Sequence, residues 1–116
     1  IAALDNPVSC IQFMVDELHK RRDLVIDLLR KIEGIKVNVP KGAFYVFPDV
    51  SYYFNKTIKG KNIKNASDFS MFLLEEANVA TVAGDSFGAP ECIRISYAAS
   101  QQNLIEAISR IAKALK

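Results

Sequence analysis

Val79–Ala99 reads VATVAGDSFGAPECIRISYAA, two apolar runs of strand character around a turn-rich segment, Gly84-Asp85-Ser86-Phe87-Gly88-Ala89-Pro90. In the second run Ile93-Arg94-Ile95-Ser96-Tyr97 alternates strictly, so Arg94 points away from the face that Ile93 and Ile95 bury. An arginine in mid-strand needs a partner, because an unpaired buried charge is costly. That partner is either an internal carboxylate (Asp49, Asp85 or Glu91) or a ligand, and the residues alone leave both open. A guanidinium fork matches a carboxylate or phosphate with two parallel hydrogen bonds, which lysine cannot reproduce.

Working outward, Ser67 is placed to cap a helix with Asp68 in its first turn, and Phe69, Phe72, Leu73 and Ala77 form its apolar stripe before Asn78, a left-handed terminator. On the other side Ser100 caps a helix with Leu104, Ile108, Ile111 and Leu115 on its apolar face. Earlier in the chain, Ile35–Val39 and Ala43–Phe47 read as two strands joined through Pro40-Lys41-Gly42, with Pro48 as the stop. Phe44, Tyr45 and Phe47 are expected mostly in the core, although one face could line a cavity and the Tyr45 hydroxyl needs a partner if buried. Asp49–Asn65, with Lys56, Lys59, Lys61 and Lys64, reads as a solvated surface loop, since no glycine-rich loop-to-helix pattern accompanies its charge.

At the start, Asp5-Asn6-Pro7 signals a helix N-terminus, and Ile11, Val15, Leu18, Val25, Leu28, Leu29 and Ile32 carry an amphipathic stripe as far as Gly34. Such a helix runs roughly 40 Å, so part of it is expected to pack against something outside this chain. The run His19–Asp23 reads as a solvated face with local ion pairs. The order α-β-β-α-β-β-α predicts an α+β domain with a long first helix and helices packed on a small, mostly antiparallel sheet.

The 116 residues are 50% hydrophobic and 24% charged, with net charge +2. That describes one domain with a real core, and it argues against nucleic acid or an anionic membrane as partner. No stretch has the length of a membrane span and no signal peptide opens the chain. Cys10 and Cys92 read as reduced packing thiols of a cytoplasmic protein, and with His19 as the one histidine a zinc site is not expected. No serine–histidine–acid set and no Rossmann or Walker glycine pattern is present. The opening Ile1-Ala2-Ala3-Leu4 has the character of a helix end, which suggests a piece of a longer chain.

Four motifs in order and spacing change this reading: Pro40-Lys41-Gly42-Ala43-Phe44-Tyr45-Val46-Phe47-Pro48, Leu73-Leu74-Glu75-Glu76-Ala77-Asn78-Val79-Ala80, Gly84-Asp85-Ser86-Phe87-Gly88 and Ile93-Arg94-Ile95-Ser96-Tyr97-Ala98. Together with Arg21-Arg22-Asp23 they resemble the C-terminal small domain of class I/II, fold type I, pyridoxal-phosphate aminotransferases, and within that family most closely the aspartate aminotransferases. The resemblance spans residues 1–116. It implies that Arg94 binds the α-carboxylate of the amino-acid substrate, and that Gly42 and Phe87 line the cleft between two domains. It also implies amino-acid and 2-oxo-acid substrates, a homodimer, and pyridoxal 5'-phosphate held by a large domain outside this chain. No lysine here stands in the family's Schiff-base context, so residues 1–116 alone are expected to be inactive and to hold no catalytic or cofactor-binding residue. The reading without the family is a stand-alone, non-enzymatic module that binds a small carboxylate or a protein partner.

Overall fold

The computed structural model describes residues 1–116 apart from the side chain of Ala3. Its helices are α1 (Ala2–Asp5), α2 (Ser9–Leu29), α3 (Ala66–Ala77) and α4 (Gln101–Ala114). Its strands are β1 (Tyr45–Val46), β2 (Lys56–Ile58), β3 (Lys61–Ile63), β4 (Val82–Ala83) and β5 (Ile93–Ser96). The expected class holds: α+β, with a long early helix and short antiparallel sheets.

The alternation of Ile93–Ser96 makes β5 the middle of a three-stranded antiparallel sheet of order β1-β5-β4. Tyr45 pairs with Ser96 and Val46 with Ile95 on one side, and Val82 with Arg94 and Ala83 with Ile93 on the other. Because side chains alternate, Val46, Ala83, Ile93 and Ile95 share the inner face, while Tyr45, Val82, Arg94 and Ser96 share the outer one. The pairing continues beyond β1, where Ile93 N–H donates to Pro48 O and Val50 N–H to Glu91 O. Beneath the inner face lie Val25 and Leu29 of α2, Phe69, Phe72 and Leu73 of α3, and Leu104, Ile108 and Ile111 of α4, all buried. Each such side chain, fully buried, contributes on the order of 2 kcal/mol.

The caps explain the helix boundaries. Asn65, not Ser67, caps α3: its Oδ1 accepts from Asp68 N–H at 2.9 Å, and the Asp68 carboxylate accepts in return from Lys64 N–H at 3.0 Å. Asn78 ends that helix in the left-handed region at φ 52°, and Ser100 caps α4 through Asn103 N–H, both as the sequence indicates. At the front, Asp5-Asn6-Pro7 does not open the long helix. Asn6 precedes proline and is extended, which separates α1 from α2, and its amide donates to Ala2 O. Helix α2 stops at Leu29, and Gly34 lies beyond it at φ 81°, where the Tyr52 ring occupies the space a Cβ would need.

Two further regions depart from the expectation. Ile35–Val39 forms one bridge, Lys36 with Asp49, and not a strand, because the returning segment pairs with β5 instead. The lysine-rich stretch contains a 3-10 turn at Ser51–Tyr53 and the hairpin β2–β3. Its two-residue turn has Lys59 at φ 48° and Gly60 at φ 79°, the twist that matches a tight antiparallel pair. Lys61 on that hairpin is ion-paired with both Glu75 and Glu76, and the two glutamates hold its ammonium above the ordinary lysine range.

Residues 9–14 of α2 are exposed. Val8, Ile11, Phe13 and Met14 are exposed, as are Ile1 and Leu4 before them, whereas the helix is buried at Val25, Ile26 and Leu29. The stripe therefore finds its first partners at Val15 and Leu18, and the projecting start of the helix goes with molecular extents of 54 × 28 × 22 Å.

Candidate functional site

The outer face of the β1-β5-β4 sheet is built around Arg94. Among the described residues no carboxylate pairs with it. Of the internal candidates, Asp49 accepts instead from Ser51 N–H at 2.8 Å, and Asp85 and Glu91 are exposed. The half-buried guanidinium lies between two rings: its Cζ is 4.5 Å from the centroid of Tyr45 and 4.5 Å from that of Phe87. Tyr45 comes from β1 on one flank of β5, and Phe87 from the turn that follows β4 on the other.

Local sequence explains both placements. Gly84–Phe87 is a 3-10 turn fixed to the start of β5 by Gly84 N–H donating to Cys92 O at 2.8 Å and Ala89 N–H donating to Gly84 O at 3.1 Å. A Cβ on Gly84 would collide with the carbonyl oxygen of Ala89 and lie 2.6 Å from that of Cys92, so only glycine allows this approach. Gly88 closes the turn at φ 73°. Phe87 then reaches back over the sheet and meets the Phe47 ring edge-on at 5.7 Å, and the Phe44 ring in turn lies 4.5 Å from Tyr45. The aromatic segment of β1 is thus mostly outside the core: Val46 is buried, Tyr45 and Phe47 are half-buried, and Phe44 is exposed.

Gly42 belongs to a neighbouring hollow of about 330 Å³ formed with Val15, Leu18, His19, Phe44 and Tyr97. Phe87 thus stands against Arg94, and Gly42 lines the hollow that Phe44 also borders. The wall of that hollow is held by Tyr97, whose hydroxyl donates to Ala43 O at 3.0 Å and whose N–H donates to Phe44 O at 2.9 Å. Burial, with Asp23 adding to it and Arg22 opposing, pushes the Tyr97 phenol above the usual tyrosine range. Ala43 adopts φ 58°, a left-handed turn that aims the chain into β1.

The charged run of α2 is only in part a solvated face. Lys20 pairs with Glu17 and Arg22 with Asp23, both at 2.8 Å. Arg21, however, donates to Ala98 O at 2.9 Å and Ala99 O at 3.1 Å, which ties α2 to the segment after β5. Cys10 is exposed on α2 and not packed, while Cys92 is half-buried, and burial pushes its thiol up; both are free.

The described residues do not fit a pyridoxal phosphate site of their own. The face around Arg94 offers one guanidinium, the Ser96 hydroxyl and apolar rings. Of the lysines on the β2–β3 hairpin, Lys56 lies on the Tyr52 ring and Lys61 between two glutamates. Among the described residues no group of three or more histidine, cysteine, aspartate or glutamate side chains could hold a metal ion. Among the described residues no helix is long and apolar enough to cross a membrane.

Comparison with known proteins places the chain in a family. The family model for aminotransferase class I and II matches residues 1–111. The aspartate aminotransferase of Pinus pinaster is 45% identical over 108 residues, 92% of this chain and 22% of that protein. A probable aspartate/prephenate aminotransferase of Aquifex aeolicus is 46% identical over 118 aligned residues, covering 100% of this chain and 28% of its own length. The crystal structure of the aspartate aminotransferase from Rhizobium meliloti superposes with a TM-score of 0.91 at 42% identity, over 97% of this chain and 28% of that one. The chain thus spans about a quarter of the length of these relatives.

Proposed function

The chain belongs to the class I and II aminotransferases, and from that premise we propose that it is the small domain of a longer pyridoxal-phosphate-dependent enzyme in which Arg94 binds the α-carboxylate of the amino-acid substrate. The observation that carries this reading is the guanidinium itself: half-buried, flanked by two rings and without a carboxylate among the described residues. A ligand carboxylate would accept two parallel N–H bonds from its fork, which fixes rotation about the bond to the substrate Cα. That orientation turns binding energy into alignment of the Cα–H bond for proton removal. The cofactor, held outside this chain, would supply an electron sink for negative charge at that carbon. The group that removes the proton would likewise be held by residues beyond this chain.

The relatives named as aspartate aminotransferases support L-aspartate as amino donor and 2-oxoglutarate as acceptor, giving oxaloacetate and L-glutamate. The Aquifex relative, a probable aspartate/prephenate aminotransferase, supports prephenate as a second acceptor to test. The exposed apolar half of α2 is the surface that the rest of the protein covers in this reading, as a domain, a partner subunit of a homodimer, or both. The two free thiols favour a reducing compartment such as the cytoplasm.

The test is a steady-state substrate panel on the full-length protein, with the 2-oxo acid product identified, run beside Arg94→Ala. Residues 1–116 expressed alone should show neither cofactor absorbance nor amino transfer. An Arg94→Ala enzyme with unchanged KM and kcat would remove the carboxylate role.

A further inference from the structure

Resting on that reading of Arg94, we propose that Tyr45 and Phe87 are positioning residues: a pair of rings that holds the guanidinium by its two faces and presents its N–H edge to the substrate carboxylate. Arginine is a long, flexible side chain, and one that must bind a carboxylate in its own plane loses affinity when it samples other rotamers. Here the Cζ lies 4.5 Å from each ring centroid, within the range of a cation–π contact on both sides. The rings are delivered from opposite flanks of β5, one by β1 and one by the turn after β4. A planar cation whose faces are occupied has its edge left for hydrogen bonding, the edge on which a carboxylate makes its paired contacts.

Each ring is itself braced. Phe47 meets Phe87 edge-on and Phe44 lies against Tyr45, while Gly84 draws the turn that bears Phe87 onto β5. This bracing accounts for four aromatic side chains left partly outside the core on a small domain. It also accounts for a turn that needs glycine where the chain has no other use for one. The arrangement has a second effect: rings bordering the cation displace water, and an ionic hydrogen bond is stronger where water is excluded.

The experiment uses the full-length enzyme with two probes, the KM of L-aspartate and the Kd of succinate, a dicarboxylate that cannot be transaminated. Phe87→Leu and Tyr45→Leu should each raise both constants about 3- to 30-fold with kcat changed less than twofold. Phe87→Tyr and Tyr45→Phe, which keep a ring, should stay within about twofold of the parent. The decisive measurement is Phe87→Leu made on an Arg94→Ala background, where it should have no further effect on either constant. If Phe87→Leu weakens binding equally with and without Arg94, the ring acts on its own and the proposal fails. If Arg94→Ala weakens both probes but neither leucine variant does, the proposal fails while the carboxylate role of Arg94 stands. If Arg94→Ala changes neither probe, the carboxylate role falls and the positioning role with it. Should Tyr45→Leu not fold, the Phe87 and Arg94 cycle decides alone, since Phe87 is 47% exposed.

Discussion

The two faces of β5, a strand of four residues, carry two side chains each and share only the backbone. On the inner face Ile93 is buried and Ile95 packs against the core; on the outer face Arg94 stands between rings and Ser96 is exposed. The difference teaches how a small sheet separates its tasks. Alternation lets one strand contribute apolar area to the core while its neighbours in sequence carry a charge that no internal group neutralises. Stability and binding should therefore respond to different substitutions at adjacent positions.

The sharpest way to break this comparison is to mutate both sides and exchange the readouts. Ile93→Ala should lower unfolding stability by about 3 kcal/mol, because it opens a cavity in a packed core. Urea denaturation would measure that loss, and the KM of the folded full-length enzyme should not change. Arg94→Ala should do the reverse: no resolvable loss of stability, and a fall of about 100-fold in kcat/KM, close to 2.7 kcal/mol, from the loss of a charge-assisted pair of hydrogen bonds. Arg94→Lys should recover a minor part, because a point charge restores attraction without the fork. A large stability loss in Arg94→Ala would show that the outer face is structural after all.

Smaller effects sharpen the inner side. Ser100→Ala removes the acceptor for Asn103 N–H and should cost about 1 kcal/mol of stability, read from the shift in urea midpoint, with no effect on binding. The smallest effect at neutral pH is expected from Tyr53, whose hydroxyl donates to Glu33 O. Burial first, then Tyr52 and Glu33, pushes its phenol up to about 12 from the usual 10. Its neutral form is favoured in the fold, so this contribution is complete below pH 10 and is lost as pH rises toward about 12. Urea midpoints across that range should fall for the parent and fall less steeply for Tyr53→Phe.

Much of this was legible in the sequence because it depended on local chemistry. Asn78 and Ser100 announce helix ends through their own side chains, and the period of two around Arg94 places it opposite the core. What was hidden depended on partners. Asn65 caps α3 in preference to Ser67 because its oxygen reaches Asp68 N–H while Asp68 answers from the other side. The β2–β3 hairpin turns on Lys59 in a left-handed conformation, a residue type that gives no turn signal. The alternation of Phe44, Tyr45 and Phe47 leaves open which face is core and which lines a cavity; only the position of β5 between β1 and the Phe87 turn shows Tyr45 beside a cation. Family resemblance names Gly42 and Phe87 alike as lining a cleft, but it does not say that Phe87 stands on Arg94 while Gly42 borders the adjoining hollow.

The link between Arg21 and the carbonyls of Ala98 and Ala99 makes α2 a lever arm. The helix is fully buried beyond that point, at Val25, Ile26 and Leu29, Leu18 just before it packs in part against the core, and residues 9–20 extend about 18 Å ahead of it at the usual rise per residue. A pivot of about 10° at Arg21 sweeps the far end through about 3 Å, by the same helix dimensions. The torque arrives on the chain immediately after β5, two residues from Ser96. A surface that covers Val8, Ile11 and Phe13 would therefore be joined, through Arg21, to the chain that follows the strand of Arg94.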